Sequence, residues 1–276
     1  RGTGKSLFSI SLAHALASGS PFLGNKSDPV KVLFIDAESS SRMISKRFAQ
    51  VEAASENSPR PDNLMIWTRN PNGYLPNLGT PEGQAEYLPV MKNADVIIVD
   101  NLLTVAPPLN AHDDDIQIWY RIKPFIYNLR GLDKSIIIVH HAGKSGLQYG
   151  TVLRENDCDI IVKLSNPALP PDDGTLAMYF EYDKTRELEG KEKEGLYLTF
   201  ETINGLPQWT YRGATEFKKK EIKQVYKNVT KNKGIISLMT NSDILLVYKT
   251  LSEKDCQEEC PLDYYTNDED EDDVPF

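Results

Sequence analysis

Residues 1–6 read RGTGKS, and residues 7–18 continue as the largely apolar stretch LFSISLAHALAS. Gly2, Thr3, Gly4, Lys5 and Ser6 match the end of the phosphate-binding pattern G-x-x-x-x-G-K-[ST]. Glycines let successive backbone N–H groups close around phosphate oxygens. Lys5 is placed to reach the β- and γ-phosphates, and the Ser6 hydroxyl to ligate Mg²⁺. A helix over 6–18 would turn the positive end of its dipole toward the phosphates. The alternative is a chance glycine-rich turn. The chain opens inside the motif and without Met, so a fragment is expected, with the first loop glycine and its feeding strand upstream of Arg1.

Working outward, four short β-branched runs read as buried strands: 31–36 (KVLFID), 64–68 (LMIWT), 95–100 (DVIIVD) and 135–140 (SIIIVH). Helical stretches at 6–18, 41–56, 81–92 and 114–129 alternate with them. That alternation predicts an α/β fold with a mainly parallel central sheet. Runs at 159–164, 176–183 and 196–202 lie closer together and predict a partly antiparallel edge. No internal repeat is found. Three regions follow: a core over 1–212, a short basic helical extension over 213–251, and an acidic disordered tail over 252–276.

The composition is that of a water-soluble globular chain, with 40% hydrophobic and 26% charged residues. No run of 18 apolar residues exists, so neither a membrane-spanning helix nor a membrane partner is expected. The opening residues lack the apolar region of a secretory signal. Three sparse cysteines suit a reducing compartment, and a cytoplasmic location is expected. The net charge of −9 is local: residues 253–276 hold 11 acids and one base, and the rest of the chain sums to +1. The overall acidity therefore does not exclude a polyanionic partner.

Two carboxylates would complete a phosphate site. Asp100 ends the apolar run 95–100, where a carboxylate can hold the Mg²⁺ shell; otherwise it caps the next turn. Glu38 stands two residues beyond Asp36, at the carboxyl end of another strand, where open α/β sheets bind ligands. It serves there either as a general base or as an acid favoured by the following helix dipole. His140 and His141 follow the next strand, at a tip suited to contact a γ-phosphate. Zinc binding would need ligands beyond these histidines and Cys158.

In order, RGTGKS, SGSPFLG, VLFIDAES, VIIVDNLLTV and IIIVHHAGKSG resemble the RecA-like P-loop ATPases, and within them the RepA-type branch of hexameric replicative helicases and related AAA-family proteins. The resemblance spans residues 1–212. It implies ATP and Mg²⁺ as ligands, Glu38 as catalytic base, and His140 or His141 as γ-phosphate sensor. FEYDKTR at 180–186 is similar to a finger element whose K-x-R side chains act on a neighbouring subunit's nucleotide, which implies Lys184 and Arg186 in trans and a homo-oligomer, a hexamer by analogy. The alternative is a solvated pair with Asp183 or Glu187. Residues 143–157 occupy the position of a DNA-facing loop, with Lys144 and Arg154 as phosphate contacts, although QYGTVLRE departs from the family's pattern there.

Residues 217–233 carry seven lysines and one glutamate, read either as a nucleic-acid strip or as a solvated helix face. The chain ends in NDEDEDDVPF, which resembles the C-terminal tip of bacterial single-stranded-DNA-binding proteins. Such a tip would recruit replication proteins through Asp272, Asp273, Val274, Pro275 and Phe276; a plain solubilising tail is the alternative. The combined expectation is an ATP-hydrolysing helicase of replication or recombination acting on single-stranded DNA. Two rivals are a RecA/KaiC-like recombination mediator or helicase loader, and a non-enzymatic ATP-binding adaptor.

Overall fold

A computed structural model of the protein describes residues 4–54, 60–140, 156–167, 171–186, 188–190 and 194–214. All of them lie in the first of two units, Arg1–Ala214; the second, Thr215–Phe276, falls outside the described residues. The basic segment 217–233 and the acidic tip are therefore outside them too.

The first unit opens with α1 (Lys5–Ser18), β1 (Val32–Asp36), α2 (Ser41–Ala54), β2 (Leu64–Thr68), α3 (Pro81–Asn93) and β3 (Val96–Asp100). It continues with the short α4 (Leu102–Val105), α5 (Asp115–Gly131) and β4 (Ser135–Val139). The four strands form a parallel sheet in the order β2-β1-β3-β4. Every residue of β1 is buried, because the sheet is covered on both faces. Alternation along the strands sorts the side chains. Leu33, Ile35, Ile97 and Val99 join Tyr87 and Met91 of α3 and Ile122 and Leu129 of α5 in one core. Val32, Phe34 and Ile98 join Ile10 of α1 and Ile44 and Phe48 of α2 in the other. Each fully buried Leu, Ile or Phe among these contributes about 1.5–3 kcal/mol of transfer free energy.

Local chemistry sets the helix starts. Thr80 caps α3 by accepting from Gly83 N at 3.1 Å, with Pro81 in the first helical position. Asp114 and Gln117 form a capping box on α5. Gly19, in the left-handed region at φ 70°, ends α1.

The remaining strands are β5 (Ile160–Ser165), β6 (Leu176–Thr185), β7 (Leu196–Ile203) and β8 (Leu206–Gly213). The antiparallel part expected at the sheet edge forms a sheet of its own, in the order β5-β6-β7-β8. β8 has no counterpart in the sequence reading. Its signal is Asn204-Gly205, with φ 54° and 81°, the dipeptide of a tight two-residue hairpin. This second sheet packs on α1: the Phe8 ring lies 5.8 Å from those of Phe180 and Trp209. Trp209 Nε1 also donates to Ser11 Oγ at 2.9 Å.

Candidate active site

The parallel register sets the site. Thr68, Asp36, Asp100 and Val139 stand abreast at the carboxyl ends of β2, β1, β3 and β4. One residue further along each strand come Arg69, Ala37, Asn101 and His140. The acids and His140 singled out in the sequence are thus brought to one edge of one sheet.

Gly4 adopts φ 78° at the N-cap of α1, and Lys5 and Ser6 open the helix. An added Cβ at Gly4 would stand 2.7 Å from Met178 Cε and 2.8 Å from Leu176 Cδ2, so the second sheet backs the loop at this point. Ser9 ties the helix to the strand ends. Its hydroxyl lies 2.8 Å from Lys5 O and 3.4 Å from Asp100 Oδ2. Asp100 is 2% exposed. The carboxylate of β3 thus stands beside the first turns of α1, as a phosphate-and-cation site requires. Gly2 and Thr3 lie outside the described residues.

The segment after β1 is held from several sides. Asp36 Oδ1 accepts from Glu38 N at 2.8 Å and Ser39 N at 2.6 Å. Ala37 N donates to Asp100 O at 3.2 Å, and Arg69 Nε donates to Ala37 O at 2.9 Å. Glu38 itself is exposed, and Asn101 Nδ2 donates to its Oε2 at 2.8 Å. Burial pushes the Asp36 carboxyl above its ordinary range, against the hydrogen bonds from Ser39 and Glu38. Asp36 Oδ2 is buried and has no hydrogen-bond partner among the described residues.

His140 follows β4 and is half-buried; His141 lies outside the described residues, as do Lys144 and Arg154. Lys184 and Arg186 are occupied elsewhere. Lys184 Nζ and an Arg186 guanidinium nitrogen donate to Asn156 O at 3.3 and 3.0 Å. Arg186 also pairs with Asp159 at 3.0 Å; Glu187 lies outside the described residues. The same short segment is gripped by α5. Asp157 accepts from Trp119 Nε1 at 2.9 Å, Lys123 Nζ at 2.8 Å and the Tyr127 hydroxyl at 2.5 Å. Burial would raise the Asp157 carboxyl, but these donors outweigh it and bring it down to about 2.

The family model of the AAA domain matches residues 1–146, which is more than half of the chain. The chain belongs to this AAA-domain family. The match covers the helix of the phosphate loop, the parallel sheet and the strand ends just described, and makes this a P-loop ATPase-type domain. No curated protein matches the chain at a significant level. Among solved structures, a KaiC-like protein from the hyperthermophilic archaeon Pyrococcus horikoshii is 17% identical, with a TM-score of 0.49 over 76% of this chain and 85% of that one. The flagellar accessory protein FlaH from Methanocaldococcus jannaschii is 13% identical, with a TM-score of 0.47 over the same shares.

Two residues of this AAA domain escaped the sequence reading. Ser9 reads as one more small residue of an apolar helix, and Asn101 as a turn after a strand. Their roles come from the register of β1 against β3 and from the seat of α1 across them. Only the polar character of Ser9 in a largely apolar run hints that this part of the helix meets something polar. No helix among the described residues is long and apolar enough to cross a membrane.

Proposed function

We propose that the chain is an ATP-hydrolysing DNA motor of the helicase type, working as a homo-oligomer in replication or recombination. The observation that carries this reading is Ser9 bridging the start of α1 to Asp100, with Glu38 at the next strand end. The residues suit a nucleotide with its cation. Gly4 is left-handed and tightly overlaid, and Lys5 stands at a helix N-terminus. Ser6 and Asp100 are hard oxygen donors, the kind Mg²⁺ takes. Among the described residues no three or more His, Cys, Asp or Glu gather into a cage. That is compatible with an ion that completes its shell with phosphate oxygens and water.

In this reading Lys5 holds the terminal phosphates and Ser6 with Asp100 orients the cation, which when bound neutralises phosphate charge. Glu38 aims the attacking water and takes its proton. His140, with His141, senses the γ-phosphate. Lys184 and Arg186 act on a neighbouring subunit's nucleotide, which requires them to leave Asn156 and Asp159. The basic segment 217–233 and residues 272–276 are assigned to single-stranded DNA and to replication proteins.

Glu38→Gln tests the chemistry: ATP turnover should fall by about 10²–10⁴-fold while nucleotide still binds. Turnover near the wild-type rate refutes the base assignment. Strand displacement driven by ATP supports the motor. Turnover without displacement makes the chain a mediator or loader, and nucleotide binding without turnover makes it an adaptor.

A further inference from the structure

Asn101 is 4% exposed, and both ends of its amide are used. Its Oδ1 accepts from Thr104 N at 3.1 Å and from Thr104 Oγ1 at 2.8 Å, capping α4. That leaves the NH₂ end facing Glu38 Oε2 at 2.8 Å. Two donors on one side and a carboxylate on the other fix which way the amide points. The pairing follows from topology: Asp36 and Asp100 are register partners, so residues just beyond them on the two strands meet.

The backbone of 36–39 is clamped by Asp36, Asp100 and Arg69. A clamped backbone does not fix an exposed glutamate side chain, which keeps most of its rotamer freedom. A base must stand within hydrogen-bond reach of the proton it takes, and a misplacement of 1 Å can cost about 10²-fold in rate. Asn101 adds a constraint on that carboxylate from a buried, doubly anchored position.

We infer that Asn101 is the positioning residue that aims the Glu38 carboxylate for ATP hydrolysis. This rests on the reading of Glu38 as the base. Asn101 itself touches no reacting atom. It links the cation-side strand β3 to the base-side strand β1, so that Asp100 and Glu38 share one rigid frame.

The test compares Asn101→Asp and Asn101→Ser in the full chain, both of which keep an oxygen able to cap α4. Asn101→Asp presents an acceptor to Glu38, and Asn101→Ser is too short to reach it. Each should lower kcat by at least about tenfold with KM for ATP within about twofold. Asn101→Asp, which brings a second carboxylate to a buried place beside Glu38, should also lower the urea unfolding midpoint, and Asn101→Ser should move it less. In a Glu38→Gln background, Asn101→Asp should cause no further loss, because there is no carboxylate left to aim. Wild-type kcat in both variants overturns the inference, as does an equal fold-loss from Asn101→Asp in the two backgrounds. So does a loss confined to the unfolding midpoint or to KM, which would mark a purely structural role. Failure of the base reading shows separately, as turnover surviving Glu38→Gln alone.

Discussion

Replacing Asp157 with Asn should cost about 2–5 kcal/mol of folding stability, a loss that narrows in acid. The carboxylate accepts from Trp119, Lys123 and Tyr127, and these donors hold it at about 2 against an ordinary 3.8. A shift of that size corresponds to about 2.4 kcal/mol at neutral pH by linkage. The side chain is largely covered but lies near the surface beside Lys123, which is 31% exposed, so screening reduces this to about 1–2 kcal/mol. Asn also turns an NH₂ group toward one of the donors. If that donor is the indole of Trp119, which is 3% exposed, the buried N–H left unpaired adds about 1–3 kcal/mol. The sign follows from the lowered carboxyl: its share is complete above 3.8 and disappears as pH falls toward about 2. At pH 3 nearly half of the charge-dependent share should be gone. Urea unfolding of wild type and Asp157→Asn at pH 7 and pH 3 reads both quantities. A difference under about 0.5 kcal/mol at pH 7, or one of equal size at the two pH values, refutes the reasoning.

Gly4→Ala should destabilise the fold by about 1–2 kcal/mol through its positive φ alone, since Met178 Cε and Leu176 Cδ2 are flexible side-chain ends that can yield. In a Met178→Ala background Gly4→Ala should therefore cost as much again in urea unfolding, and a cost that vanishes there would show that contact, not backbone strain, dominates. His14 is 2% exposed; burial lowers its pKa from 6.5, with Glu52 opposing and Arg60 assisting. The unfolded chain gains a proton that the folded one resists, so His14's contribution is whole above 6.5 and shrinks as pH falls below it, by up to about 1.4 kcal/mol per pH unit. His14→Leu should flatten the unfolding midpoint between pH 7.5 and 5.5, and an unchanged slope would count against this.

The parallel core was legible because β1 and β3 are apolar on both faces and end in acids, with helical stretches between the strands. Helix and strand ends moved by one or two residues, as fraying termini do. Strand pairing was not legible: nothing in the run 159–164 says that it pairs with β6 rather than extending the parallel sheet. The four-residue α4 is shorter than any periodicity can reveal, and its start depends on the Asn101 cap. Lys5, Ser6, Asp100 and Glu38 could be picked out because each follows a local pattern. The partners of Arg186 could not, since Asp159 reaches it across the β5–β6 ladder, where Ile160 stands opposite Thr185.

The indole of Trp209 makes the joint between the second sheet and α1 visible to light. The chain has three tryptophans. Trp67 lies 4.8 Å from the Tyr87 ring in the core, Trp119 reports on Asp157, and Trp209 reports on Ser11. A variant keeping only Trp209, with Phe at the other two positions, emits from a fluorophore bonded to the helix that begins at Lys5. Events at the phosphate loop that shift α1 alter that bond and with it the emission. The protein thus carries an unlabelled optical gauge of α1, readable in a stopped-flow cell after mixing with ATP.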